Sequence, residues 1–353
     1  MQVKLTLELA EALSPTVDQL VSDQVASRIA AKDSTVWGSE AEAEAAIRLG
    51  WVDSAKSSVD LIPAILKLRD QFREQGLDRV VLCGMGGSSL APEVIGKNTN
   101  HEIVILDSTA PDQVQSAVRD LERTIVVVSS KSGSTVETDS QKRAFEAGFR
   151  AEGIDPRDRI VIVTDPGSPL QDAAESDGYR VFNADPTVGG RYSALTAFGL
   201  VPTGLAGSDI STLLANASMA RSELASDSID NPALWLATAL AATPGSTGVK
   251  DKFLIETDLL PGFGDWVEQL VAESTGKLQK GTLPVVVTKS APEISDRPED
   301  TLMVSFSDSD PSISDVTFSG QLGELFLLWE YATAIAGQIL GINPFDIHLY
   351  PVA

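Results

Sequence analysis

At 353 residues the chain is long enough for two ordinary domains, because single hydrophobic cores rarely grow beyond roughly 250–300 residues. Fifty acidic against 27 basic side chains leave a formal charge of −23, which repels nucleic acid and anionic membrane and obliges any anionic ligand to be captured by local donors. The single cysteine, Cys83, excludes an intramolecular disulfide, and two separated histidines, His101 and His348, without a Cys/His cluster argue against a metal site.

Residues 1–60 show helical periodicity, many Ala, Glu and Ser and no run of β-branched residues, so they are expected to form a helical N-terminal arm. No signal-peptide pattern opens the chain and no stretch of about 18 apolar residues follows, so a soluble cytoplasmic protein is expected. An amphipathic helix over Leu61–Phe72 then leads into a first strand, Arg79–Gly84. Similar apolar runs recur at Glu102–Asp107, Thr124–Ser129, Arg159–Thr164 and, more weakly, Arg180–Phe182, with helices between them at Asp112–Leu121 and Glu137–Ala151. Continuous apolar strands alternating with helices predict an α/β fold with a parallel sheet covered on both faces. The glycines and small residues of Thr203–Ser208 suit a linker. The alternation restarts with strands at Lys252–Glu256, Leu283–Thr288 and Leu302–Phe306 and helices at Phe263–Ala272 and Gln321–Leu340. The domains are therefore set at 1–60 (arm), 61–207 (first α/β subdomain), 208–346 (second, smaller) and 347–353 (a divergent tail).

Two loops follow strands of the first subdomain and carry donor groups. Gly84-Met85-Gly86-Gly87-Ser88-Ser89 stands between a strand and a helix start, where glycines let backbone amides approach an anion. Ser89 stands where a dinucleotide fingerprint needs its third glycine, yet Asp107 ends the next strand, so both a sugar-phosphate and a dinucleotide reading stay open, beside a plain glycine turn. Ser129-Ser130-Lys131-Ser132-Gly133-Ser134-Thr135 places five hydroxyls in seven residues ahead of a helix, a compact anion nest without the Gly-Lys-Ser/Thr order of a nucleotide-triphosphate loop. A third segment, Val188-Gly189-Gly190-Arg191-Tyr192-Ser193, offers a guanidinium on a Gly-Gly turn that could face a developing oxyanion, though a surface ion pair is the commoner use. In the predicted helix from Phe263, apolar residues at 263, 266, 267, 270 and 271 form one stripe. Glu273 falls on the flank of that stripe, with Gln269 one turn earlier on nearly the same side and Gly276 as a C-cap. A half-buried carboxylate at a helix C-terminus suits a general base, against the bland alternative of a solvated surface acid.

In this order the segments Gly84–Ser88, Ser130–Thr138, Val188–Ser193, Gln269–Lys277 and Gly341–Asp346, the last preceded by Trp329-Glu330, resemble the signature segments of the phosphoglucose isomerase family. The similarity runs from about residue 50 to 346 and is nearest to the compact bacterial branch that includes the isomerase half of transaldolase–isomerase fusions. The resemblance implies two sugar-isomerase (SIS) subdomains and interconversion of glucose 6-phosphate and fructose 6-phosphate without a metal or other cofactor. It further implies Ser130, Lys131, Ser132 and Thr135 as the phosphate site, Gly87 and Ser88 beside the sugar, and Gln269 on the substrate. Glu273 would move the proton through a cis-enediol and Arg191 would stabilise the enediolate. A homodimer acting on a small-molecule sugar phosphate, with no nucleic acid and no membrane as partner, completes the expectation.

Two departures from the family pattern stand out. The stretch Val287–Ser319, where members carry a ring-opening histidine, has none, and the lysine expected beyond Phe345-Asp346 is missing, as though the C-terminus were truncated. Three alternatives follow: a sugar-phosphate-binding or sensing protein with weak or no catalysis, a bifunctional phosphoglucose/phosphomannose isomerase, and a dinucleotide-dependent oxidoreductase.

Overall fold

The apolar runs form strands of two mainly parallel sheets in the computed structural model, which describes residues 1–245, 248–306 and 313–346. Strand β1 (Gln2–Leu5) opens the chain. It is followed by β2 (Arg79–Gly84), β3 (Ile103–Leu106), β4 (Thr124–Ser129), β5 (Ile160–Thr164) and β6 (Arg180–Asn183). Strands β7 (Lys252–Glu256), β8 (Leu283–Val287), β9 (Thr301–Phe306) and β10 (Val316–Ser319) come last. The chain divides into two compact units, Asp53–Leu214 and a discontinuous one that joins Met1–Val52 to the chain from Ala215 onward.

In the unit Asp53–Leu214 the sheet order is β3-β2-β4-β5-β6, every pair parallel. Strands β4 and β5 are buried at every residue, because helices cover both faces and leave no solvated side for a polar alternate. Val126, Val128, Ile160 and Ile162 pack with Phe145 and Phe149 of the Val136–Ala151 helix, each fully buried Val or Ile contributing about 1.5–3 kcal/mol. Cys83 belongs to the same core; burial pushes its thiol far up, so it is an inert packing residue. The chain steps from β2 outward to β3 and then crosses back to β4, so strand order reverses between β2 and β4, where open α/β sheets bind ligands beyond the strand ends. The segment expected to be a linker is instead the end of the buried Ala197–Ala206 helix. Its Gly204 would put a Cβ 2.6 Å from Ile65 Cγ2, so the small residue serves close packing rather than flexibility.

In the discontinuous unit the order is β1-β10-β9-β7-β8, parallel except for β1, which runs antiparallel to β10 with Gln2 opposite Ser319 and Leu5 opposite Val316. This corrects the purely helical reading of the first 60 residues. Gln2-Val3-Lys4-Leu5 alternates polar and apolar, the period of a half-buried edge strand, before the Leu7–Ser22 helix begins. Residues 1–52 pack within this unit rather than forming a separate arm. The Leu322–Leu340 helix is buried from Leu325 to Gly337, and Trp329, Phe326, Phe253, Phe263, Trp266 and Phe318 form a continuous aromatic cluster. Among the described residues no helix is long and apolar enough to cross a membrane, and no group of three or more His, Cys, Asp or Glu is placed to hold a metal ion.

Candidate active site

Both glycine- and serine-rich loops leave the sheet of the Asp53–Leu214 unit at its reversal point. Gly84 ends β2 and Ser129 ends β4, and the two are register partners, so the loops start side by side. The first makes one tight turn over Gly86–Ser88 and enters the Leu90–Asn98 helix. Gly86 has φ 54°, a left-handed conformation that favours glycine, and its carbonyl accepts from the Ser89 amide at 2.9 Å and the Ser89 hydroxyl at 3.0 Å. Ser88 lies buried in this turn.

Gly87 explains how the third segment joins the first. A Cβ built on it would lie 2.4 Å from the Gly190 carbonyl oxygen and 3.0 Å from the Arg191 amide nitrogen. The two loops therefore touch backbone to backbone, which only glycine allows. Ser193 Oγ reinforces the turn, donating to Gly190 O at 2.6 Å and contacting Gly87 O at 3.4 Å. Arg191 is thus held, 7% exposed, within the same unit as the two glycine- and serine-rich loops.

The second loop runs from buried Ser130 through exposed Ser132 to Thr135, the N-cap of the Val136–Ala151 helix. Thr135 makes no side-chain cap; its Oγ1 accepts instead from Ser130 Oγ at 3.1 Å. The first amides of a sixteen-residue helix are left uncapped by side chains, and with the helix dipole they favour an anion. Gly133 has φ 69° and packs so tightly on the Pro169–Asp177 helix that a Cβ would sit 2.8 Å from Leu170 Cβ. A cleft of about 210 Å³ opens here, lined by Ser130, Gly133, Ser134, Thr135, Thr138 and Leu170 among others. Lys131 does not point freely at it: its ammonium pairs with Asp165 Oδ2 at 2.5 Å. Asp165 was missed from the sequence, although Asp165-Pro166-Gly167-Ser168 follows an apolar strand just as the other loops do.

In the discontinuous unit the Phe263–Thr275 helix follows β7 and buries the predicted stripe, Phe263, Trp266, Val267, Leu270 and Val271. Gln269 is half-buried and donates from Nε2 to Glu273 Oε1 at 2.8 Å. Glu273 itself is exposed, which corrects the expectation of a half-buried carboxylate: residue 273 lies just past the stripe, and Ser274 and Thr275 take the buried positions instead. The helix end is fixed from three directions. Gly276 caps it, Thr275 Oγ1 accepts from the Thr282 amide at 3.1 Å, and buried Lys277 donates to the carbonyls of Asn343 at 2.8 Å and Asp346 at 2.6 Å. Lys277 is thereby an anchor for the Gly341–Asp346 segment rather than a free cation. His348 and the divergent tail lie outside the described residues.

A sequence profile described as phosphoglucose isomerase matches residues 71–294. Two curated relatives are glucose-6-phosphate isomerases: that of Rippkaea orientalis is 36% identical over 56% of this chain and 40% of its own length. That of Thermus thermophilus is 33% identical over 66% of this chain and 56% of its own length. The chain thus spans about half the length of these relatives. A solved structure of a hypothetical protein from Thermus thermophilus superposes with a TM-score of 0.80 at 22% identity, covering 98% of this chain and 96% of the other, a likeness of fold.

Proposed function

The chain belongs to the phosphoglucose isomerase family, and on that premise we propose that it interconverts glucose 6-phosphate and fructose 6-phosphate by proton transfer through a cis-enediol. The observation that carries this reading is the convergence of both anion loops, from register partners Gly84 and Ser129, with the Arg191 turn seated on Gly87. In this reading the phosphate rests on the amides and hydroxyls of Ser130, Ser132 and Thr135, with Lys131 in the same loop and Ser88 beside the sugar. Glu273 takes the proton from one of the first two sugar carbons and returns it to the other, while Arg191 faces the negative charge that builds on the enediolate oxygen. Gln269, hydrogen-bonded to Glu273, orients the carboxylate and contacts substrate. Phosphate capture is electrostatically local, because the −23 net charge opposes the approach of an anion and the donors of these loops have to offset it.

The test is turnover of fructose 6-phosphate by the native chain and by Glu273→Gln, alongside binding of a stable enediolate mimic. Turnover lost on substitution with mimic binding kept supports the assignment. A second reading, a sugar-phosphate binder with little catalysis, is favoured by the absence of histidine from Val287–Ser319. It predicts binding without turnover in the native chain. Mannose 6-phosphate in the same assay distinguishes the bifunctional variant. We also read the active form as a cytoplasmic homodimer, the assembly tested by light scattering across a concentration series.

A further inference from the structure

Lys131 is the one cation in the Ser129–Thr135 loop, and the structure does not leave its charge free. Its ammonium sits 2.5 Å from Asp165 Oδ2, with the two side chains 22% and 18% exposed. Asp165 opens the turn after β5, and that turn is tied to the anion loop along its length. The Ser130 amide donates to Val163 O at 3.0 Å and the Asp165 amide to Lys131 O at 3.4 Å. Buried Thr164 donates from Oγ1 to Ser130 O at 2.7 Å, and its Oγ1 lies 2.8 Å from Ser168 Oγ. Gly133 closes the far end against Leu170.

We propose that Asp165 is a positioning residue for substrate phosphate: it neutralises Lys131 and fixes the anion loop, so that the loop holds phosphate by amides and hydroxyls rather than by a net positive charge. A partly buried ammonium–carboxylate pair presents a dipole to its surroundings, not a unit charge. Phosphate affinity then depends weakly on salt, and release is not held back by an unshielded cation. This inference rests on the reading of Ser130–Thr135 as a sugar-phosphate loop.

The experiment is a double-substitution cycle on the full chain, read by calorimetric binding of inorganic phosphate and of fructose 6-phosphate at low and high ionic strength. Melting curves check that each variant folds. Asp165→Asn unmasks the ammonium and is expected to tighten phosphate by about three- to tenfold at low salt, with a steeper salt dependence. Lys131→Met bares the Asp165 carboxylate instead and is expected to weaken phosphate by about three- to tenfold at low salt, and the double variant, with both charges gone, is expected to bind phosphate within about threefold of the native chain. A double variant that binds phosphate more than about tenfold more weakly than the native chain, or a loss well beyond about tenfold for Lys131→Met alone, overturns the proposal. Should Asp165→Asn melt early, the Lys131→Met loss decides by itself. A native chain that binds neither ligand overturns the sugar-phosphate reading and this inference together, whereas native binding with the wrong cycle overturns this inference alone.

Discussion

Replacing Gly87 with alanine puts a methyl group where the backbone of Gly190 already lies. The built Cβ would be 2.4 Å from Gly190 O and 2.5 Å from Gly190 C, atoms of a main chain that cannot rotate out of the way as a side-chain tip could. Restoring an ordinary van der Waals separation requires the Gly189–Arg191 turn to retreat by about 1 Å. If Arg191 stabilises the enediolate as proposed, displacing its guanidinium by that distance costs about a hundredfold in kcat/KM, and the overpacking itself costs about 1–3 kcal/mol in stability. The Ser130–Thr135 loop is untouched, so inorganic phosphate should still bind within about threefold of the native affinity, by calorimetry. Gly190→Ala is the contrasting variant. Nothing lies within 4 Å of its Cβ position and its φ is not in the left-handed region, so its loss in kcat/KM should stay well below tenfold, roughly the size of a surface substitution. A Gly87→Ala chain with native kcat/KM for fructose 6-phosphate would show that the contact between the loops does not place Arg191.

Three further outcomes follow from the same structure. Glu273→Gln keeps the hydrogen-bonded shape beside Gln269 but removes the proposed base, so turnover should fall by about 10²–10⁴ while binding of an enediolate mimic changes little. Glu330 is fully buried, neither of its oxygens has a hydrogen-bond partner among the described residues, and burial raises its carboxyl well above the ordinary value of 4.5. Because the folded chain holds a proton that the unfolded chain releases near that value, stability should decline as pH rises above 4.5 toward the folded pKa, by up to about 1.4 kcal/mol per pH unit. Glu330→Gln should abolish that slope in denaturant titrations between pH 5 and 8, and an unchanged slope contradicts a neutral carboxyl at this position. Lys277→Met removes two hydrogen bonds to the Asn343 and Asp346 carbonyls and should destabilise by about 2–4 kcal/mol, visible as a lowered melting temperature.

What the sequence displayed and what it concealed divide along physical lines. Strands β2, β4 and β5 were legible because burial on both faces leaves only apolar residues, a pattern with no competing reading. Strand β10 escaped because Val316-Thr317-Phe318-Ser319 is short and half-solvated, alternating over four residues. Strand β1 did so because it is four residues long and runs straight into a helix. The position of the glycine- and serine-rich loops at strand ends was readable, because each follows an apolar strand directly. Their partners were not. Gly87 reports a need for backbone space, but that the space is filled by Gly190, over a hundred positions later, is a tertiary fact. Gly204 was misread for the same reason: a missing side chain signals freedom or crowding equally. Lys131 looked like the cation of the phosphate site, and only the structure shows Asp165 against it. Glu273 was located correctly along the helix, yet its exposure depends on a rotation of a few tens of degrees past the stripe, finer than periodicity resolves.

The pairing of Gln2–Leu5 with Val316–Ser319 also sets a schedule for the emerging chain. The unit Asp53–Leu214 is one uninterrupted stretch and can fold once its own last residues have cleared the ribosome. Strand β1, by contrast, has no partner until Val316 is made, a wait of roughly 15–60 s at usual translation rates. Leu13, Val17 and Leu20 of the following helix, all buried in the finished protein, wait in turn for the Pro232–Ala242 helix, on which that helix packs. The unit built from both chain ends is therefore the last to close and the one most in need of chaperone cover. A ribosome stalled beyond Leu214 but short of Val316 should release a protease-resistant core that begins near Asp53.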